Sequence, residues 1–188
     1  MNVIFKTAVV LAVVASTSTI SNKMKTVNTN KSTVTWTGKK LGGSHNGTIK
    51  LKSGDLQFND SKVTGGNFTI DMTTIDVTDL TGENKTKLEG HLKSDDFFAT
   101  STHEEATLVF TNVKEKSPQV YEVTGDLTIK GITNPITFDL QANDSSATTQ
   151  LNIDRSKYDV KYGSKSFFKG LGDNFIYDNF EVDVKLVY

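Results

Sequence analysis

Near the end of the chain, Phe180, Val182, Val184, Leu186 and Tyr188 alternate with Glu181, Asp183 and Lys185. A period of two puts every apolar side chain on one face of an extended strand and every charged one on the other. Such a strand needs backbone partners along its edges and cover over one face only. The pattern recurs from Tyr121, where Tyr121, Val123, Leu127 and Ile129, with Gly125 among them, oppose Glu122, Thr124, Asp126, Thr128 and Lys130. A turn at Gly131-Ile132-Thr133-Asn134-Pro135 is expected next. Ile136, Phe138 and Leu140 then resume the apolar face against Thr137, Asp139 and Gln141. The pair reads as an antiparallel hairpin with one buried face.

The remaining strands are less regular. Val34 and Trp36 mark the first strand of the mature chain. Ile49 and Leu51 mark the next, then Leu56 and Phe58 after an expected turn at Ser53-Gly54-Asp55. Phe68, Ile70 and Met72 follow Gly65-Gly66, Leu108 and Phe110 come later, and Leu151 and Ile153 precede Arg155. Short strands at this spacing predict an all-β sandwich or barrel, and no shift in composition divides the chain into two domains.

One stretch, from about Leu80 to Thr102, breaks the alternation. Leu88 and Leu92 have helical spacing, so a short helical insert is predicted there. Gly90 weakens a helix by about 1 kcal/mol relative to Ala, which predicts one broken or two short helices. Ser94 is placed to cap a second turn, with Asp95 and Asp96 in its first turn, where the helix dipole favours carboxylates. Capping explains these acids better than catalysis does.

At the N-terminus, Lys6 precedes the apolar run Ala8–Ala15, much shorter than the roughly 20 residues a spanning helix needs. Residues 1–20 read as a signal peptide, the alternative being a buried N-terminal helix or strand. The mature domain, 27–188, is then expected to be periplasmic or secreted, with no membrane span. With no cysteine in the sequence, a lipoprotein anchor and disulfides are both closed routes. The net charge of −1 comes from mixed lysines and acids with no basic stripe, which argues against nucleic acid as a partner.

Enzyme motifs are incomplete. His103-Glu104-Glu105-Ala106-Thr107 lacks the second histidine of a zinc-protease helix. Gly42-x-Ser44-x-Asn46 lacks the last glycine of a hydrolase elbow. Gly170-x-Gly172 meets Phe175 where a dinucleotide motif needs glycine. No catalytic residue, metal ligand or resident cofactor is assigned. A site assembled in space from His45, His91 and His103 stays open as a rival.

The inward set is rich in aromatics: Trp36, Phe58, Phe68, Ile70, Phe110 and Phe138, with Phe97 and Phe98 from the insert. These residues are either a packed core or the wall of a ligand site. Tyr158, Lys161, Tyr162 and Arg155 are candidate polar contacts near a mouth, and Arg155 serves equally well as a structural partner for a carboxylate.

Four segments, in this order, resemble the motifs of the YceI-like family. They are His91-Leu92-Lys93-Ser94-Asp95-Asp96-Phe97-Phe98, the hairpin Gly125-Asp126-Leu127-Thr128-Ile129-Lys130-Gly131-Ile132-Thr133, the stretch Ile153-Asp154-Arg155-Ser156-Lys157-Tyr158, and the ending from Gly172-Asp173 to Phe180-Glu181-Val182. The segment Thr100–Ala106 departs from the shorter, proline-containing linker of that family. The resemblance implies an antiparallel eight-stranded lipocalin-like barrel with a helix or two at one end. It also implies an exported, non-catalytic protein holding a long-chain polyisoprenoid or isoprenoid quinone, for carriage or storage. On that reading Trp36, Phe58, Phe68, Ile70, Phe97, Phe98, Phe110, Phe138, Tyr158 and Arg155 form the ligand site, and a homodimer is allowed. The rivals are a metal-assisted enzyme and a solidly packed structural or stress-response module. Burying ~20 CH₂-like groups at ~0.8 kcal/mol each gives ~16 kcal/mol, near the ceiling for non-covalent binding. Ordering the chain offsets much of that, so a firm grip with little head-group selectivity is expected.

Overall fold

The computed structural model describes residues 22–188, and the expected signal peptide at 1–20 lies outside the described residues. The alternating segments form strands β1 (Asn22–Thr26), β2 (Thr33–Lys40), β3 (Gly43–Asn59), β4 (Lys62–Val77), β5 (Glu105–Ser117), β6 (Val120–Ile129), β7 (Ile132–Ala142), β8 (Ser146–Asp154) and β9 (Ile176–Val187). Helix α1 (Gly82–Lys93) lies between β4 and β5. The strand marked by Val34 and Trp36 is therefore the second: β1 precedes it and pairs with β3.

The other eight strands follow the order β3-β2-β9-β8-β7-β6-β5-β4, and a β3–β4 ladder closes the ring. Each strand is antiparallel to its neighbours, and the C-terminal strand joins the ring beside β2. This is the all-β, eight-stranded antiparallel barrel expected from the sequence. Closure removes the exposed sheet edges that an open sheet of this length would leave. Alternation does what it should in β6, where Tyr121, Val123, Leu127 and Ile129 are buried.

Two turns fall elsewhere than expected. Leu51 and Leu56 belong to one continuous strand, and the chain reverses at Asp60-Ser61, where both φ angles are positive. Gly54 is no turn residue: a Cβ there would stand 2.6 Å from the Phe68 ring, so its bare backbone lets that ring lie across β3. Likewise Ile129 pairs with Ile132, and the turn is Lys130-Gly131, with φ of 51° and 72°. Two-residue loops with both φ positive match the twist of a hairpin. Pro135 thus lies within β7, at a point where β7 has no ladder to β8, since those strands pair only at Leu140–Ala142. A missing N–H is tolerated there.

The insert also differs in detail. It forms a single helix with Gly90 inside it, because Gly90 faces open space and costs propensity without breaking the ladder. Ser94 ends this helix rather than beginning another, its hydroxyl donating to the His91 carbonyl at 2.8 Å. Asp95 and Asp96 lie in the turns that follow. The helix is pinned by buried Leu92 and by Glu89, whose carboxylate accepts from the Val77 N–H at 2.9 Å.

The register sets the two ends of the barrel. The β2–β3 hairpin, α1, the Lys130-Gly131 turn and the long β8–β9 connection share one end, here the mouth. The Asp60-Ser61 turn and the C-terminus share the other, the base. The base is sealed by Phe58 against Tyr188, ring centroids 5.8 Å apart, with the Lys25 ammonium 4.3 Å over the Phe58 ring.

Candidate functional site: an apolar cavity under an aromatic cap

Eight tilted strands enclose an interior that side chains can fill, or that can hold one slender ligand. Here the filling is incomplete, and a cavity of about 190 Å³ runs inside the barrel. That exceeds the roughly 150 Å³ of an apolar cavity able to stay dry and take up a small aromatic molecule. The barrel is therefore not solidly packed.

Of the residues singled out in the sequence, Trp36, Phe68, Ile70, Phe97, Phe98, Phe110, Phe138 and Arg155 line the cavity. Phe58 and Tyr158 do not. Phe58 lies beneath the cavity floor, in the base plug with Tyr188 and Lys25. Tyr158 is buried in a 3-10 turn, Arg155–Tyr158, that packs on β7. The lining also includes Met72, Ile75, Ile129, Leu151, Ile153 and Val184, which a search for aromatics passes over. Met72, Ile129, Leu151, Ile153 and Val184 occupy apolar positions of strands recognised in the sequence, so alternation alone could have found them.

Trp36 illustrates how the wall is shaped. Its indole lies so close to Gly47 on the next strand that a Cβ there would stand 2.6 Å from the ring. The indole N–H donates to the Thr48 carbonyl at 3.3 Å, which leaves the ring's apolar body for the cavity.

At the mouth, Phe97 and Phe98 meet edge to face at 5.0 Å, and Phe98 reaches Phe180 at 6.2 Å. Arg155 stands beside this cap, with its guanidinium 5.5 Å from the Phe97 ring. Only 2% of Arg155 is exposed, so its charge requires partners. Nη1 donates to the Val160 carbonyl at 2.8 Å, Nη2 to Ile176 at 3.1 Å and Nε to Tyr177 at 3.2 Å. The Asp178 carboxylate completes the set at 3.4 Å and itself accepts from the Ser166 hydroxyl at 2.6 Å. Burial lowers the Arg155 pKa, and the Asp178 and Asp154 carboxylates oppose that shift. The side chain thus staples both ends of the β8–β9 connection to the barrel.

The wall is otherwise nearly free of polar groups. Thr107 and Thr149 supply hydroxyls, and Arg155 and Tyr177 are its ionisable members. The three histidines are not brought together. His45 bonds Asp79 at 2.8 Å, His91 packs against Tyr162 and Phe97, and His103 lies beside Gly131. Burial alone would raise the Asp79 pKa, but the bonds from His45 and from the Asn46 N–H outweigh it and hold the carboxyl below its ordinary value. Among the described residues, no three His, Cys, Asp or Glu side chains gather in a way that could hold a metal. No helix among them is long and apolar enough to cross a membrane.

The closed antiparallel strands, the apolar cavity and the aromatic cap define the class: a lipocalin-like barrel whose interior is not filled by its own side chains. Residues 26–188 match the YceI-like domain, and the chain belongs to that family. A UPF0312 protein of Staphylococcus aureus is 40% identical over 85 residues, covering 39% of this chain and 47% of that protein. Protein YceI of Escherichia coli is 34% identical over 95 residues, covering 50% of this chain and 46% of that protein. The chain spans about half the length of these curated relatives. Among solved structures, BcnA of Burkholderia cenocepacia superposes with a TM-score of 0.70 at 24% identity, covering 86% of this chain and 99% of that one. A polyisoprenoid binding domain of Saccharophagus degradans, implicated in plant cell wall breakdown, superposes with a TM-score of 0.58 at 16% identity, covering 90% and 98%. At these identities the likeness is one of fold.

Proposed function

We propose that this protein is an exported, non-catalytic carrier or store that holds a long-chain polyisoprenoid or isoprenoid quinone in its barrel. The observation that carries this reading is the cavity wall, apolar except for Thr107, Thr149, Tyr177 and the stapled Arg155. A wall of this kind gains free energy from apolar surface and offers few polar contacts for a head group. The fold shared with the polyisoprenoid binding domain of Saccharophagus degradans supports the same ligand class. The basic and apolar N-terminal run supports export, to the periplasm or beyond the cell.

Lipid mass spectrometry on protein extracted natively from a host rich in prenyl lipids tests the reading. A stoichiometric isoprenoid in the extract, or uptake of added quinone by delipidated protein, is the expected result. Protein with neither would overturn it.

A further inference from the structure

The cavity does not end in a neutral polar rim. Of the eight large apolar or aromatic side chains most exposed among the described residues, Leu41, Tyr162, Phe167, Phe168 and Tyr177 gather at the mouth end. They come from two adjacent connections and the start of β9, since Lys40 at the end of β2 pairs with Ile176. Phe167 and Phe168 are 43% and 48% exposed, although burying either would be favourable. Tyr177 is 47% exposed and also lines the cavity, so the exposed patch is continuous with the interior.

The segment that carries Phe167 and Phe168 is basic, while the acids at this end include Asp178, held by the Ser166 hydroxyl at 2.6 Å, and the exposed Asp95 and Asp96 of the cap. From Lys161 to Leu171 the chain holds Lys161, Lys165 and Lys169 and no acid. The nearest acids in sequence are Asp159, which bonds Lys161 at 2.6 Å, and Asp173. Lys165 places its ammonium 3.4 Å from the Phe175 ring centroid, so the aromatic surface and the positive charge are interleaved rather than separate. Exposed aromatic rings flanked by lysines match the boundary between acyl chains and anionic head groups.

We propose that the mouth end docks on an anionic lipid bilayer, with Phe167 and Phe168 entering the interface and Lys165 and Lys169 meeting lipid phosphates. The cavity opening then faces the membrane, and an apolar chain passes between bilayer and barrel without crossing water. The transfer step rests on the ligand class proposed above, whereas the docking does not.

The test is co-sedimentation of the purified protein with vesicles of equal parts phosphatidylglycerol and phosphatidylcholine, against phosphatidylcholine alone. Binding to the anionic vesicles, weakened by salt, is expected. Phe167→Ser with Phe168→Ser should bind about tenfold more weakly, and Lys165→Glu with Lys169→Glu roughly 30-fold or more. Neither pair lines the cavity, so the far-UV spectrum and the uptake of quinone added to delipidated protein without vesicles should not change. Vesicle binding by protein that carries no isoprenoid supports the docking and counts only against the cargo. Absence of binding, variants that bind like the parent, or a Phe167-dependent dimer in sedimentation velocity would each overturn the docking.

Discussion

The guanidinium of Arg155 faces the ring of Phe97 at 5.5 Å, joining the end of β8 to the cap beyond α1. One residue therefore ties three separate pieces of chain at the mouth: the cap, the loop start at Val160 and the first residues of β9. Replacing Arg155 with Met would remove this staple, leaving three carbonyls without their donor and Asp178 with only the Ser166 hydroxyl. A loss of roughly 3 kcal/mol is expected, read as a lowered urea midpoint at unchanged slope. Arg155→Lys should rescue little, because an ammonium cannot reproduce the planar fork that meets carbonyls in several directions.

Filling the cavity should separate stability from binding. Ala106 on β5 is buried and lines the cavity. Ala106→Phe places a ring in the free space, with an overpacking cost of about 1–3 kcal/mol that the added burial offsets in part. The expected outcome is a folded barrel that takes up quinone at least ~10-fold more weakly, measured by titration of delipidated protein. Full-strength uptake by this variant would place the ligand elsewhere.

Trp36 is the only tryptophan in the sequence and lines the cavity, so it reports on whatever enters. Addition of quinone to delipidated protein should quench its emission. Gly47→Ala should shift that emission even without ligand, because the new methyl cannot share the space now taken by the indole and by the Asp76 carbonyl. The same variant should be destabilised, by roughly 1–3 kcal/mol, in a urea titration.

The barrel was legible where alternation was strict, because a period of two leaves a strand no choice of face. The misplaced turns share a cause. Gly54 and Gly131-Ile132-Thr133-Asn134-Pro135 carry turn-forming residues, yet Gly54 serves a close approach to Phe68 and Pro135 sits where β7 lacks one ladder. Those reasons lie in neighbouring strands and cannot be read locally. The site shows the same division. Its aromatic members stood out by type, but telling Phe58 in the base plug from Phe68 on the cavity wall needs their depth along the barrel, which the register fixes. The Arg155 staple was an open alternative in the sequence, because its carbonyl partners lie 5 to 22 residues away.

At the mouth, acid should loosen the His45–Asp79 contact. The Asp79 carboxyl is held below its ordinary value of 3.8, despite the opposing effect of burial, by its bonds to His45 and the Asn46 N–H. A depressed folded-state pKa contributes stability above the unfolded value, and that contribution disappears as pH falls through the folded value. The expected result is a parent barrel that loses stability more steeply below pH 3.8 than Asp79→Asn does, measured by urea midpoints across the acid range.

At the base, the dependence runs the other way. The Tyr188 hydroxyl donates to the Asn143 and Ser146 carbonyls, at 2.8 and 2.9 Å. Burial raises its pKa to about 12, with Tyr121 and Asp144 adding to the shift. The unfolded chain has a tyrosine of about pKa 10, so the folded state holds this proton more tightly. The stabilising contribution is complete below pH 10 and lost as pH rises towards 12. Burial also raises the Tyr158 pKa, so absorbance of tyrosinate should show late-titrating tyrosines, one equivalent of which disappears in Tyr188→Phe. The same variant should flatten the alkaline fall in stability between those values while leaving cavity uptake unchanged, since Tyr188 lies outside the wall. Ordinary titration of Tyr188 near pH 10 would mean that the base plug with Phe58 and Lys25 is open to water.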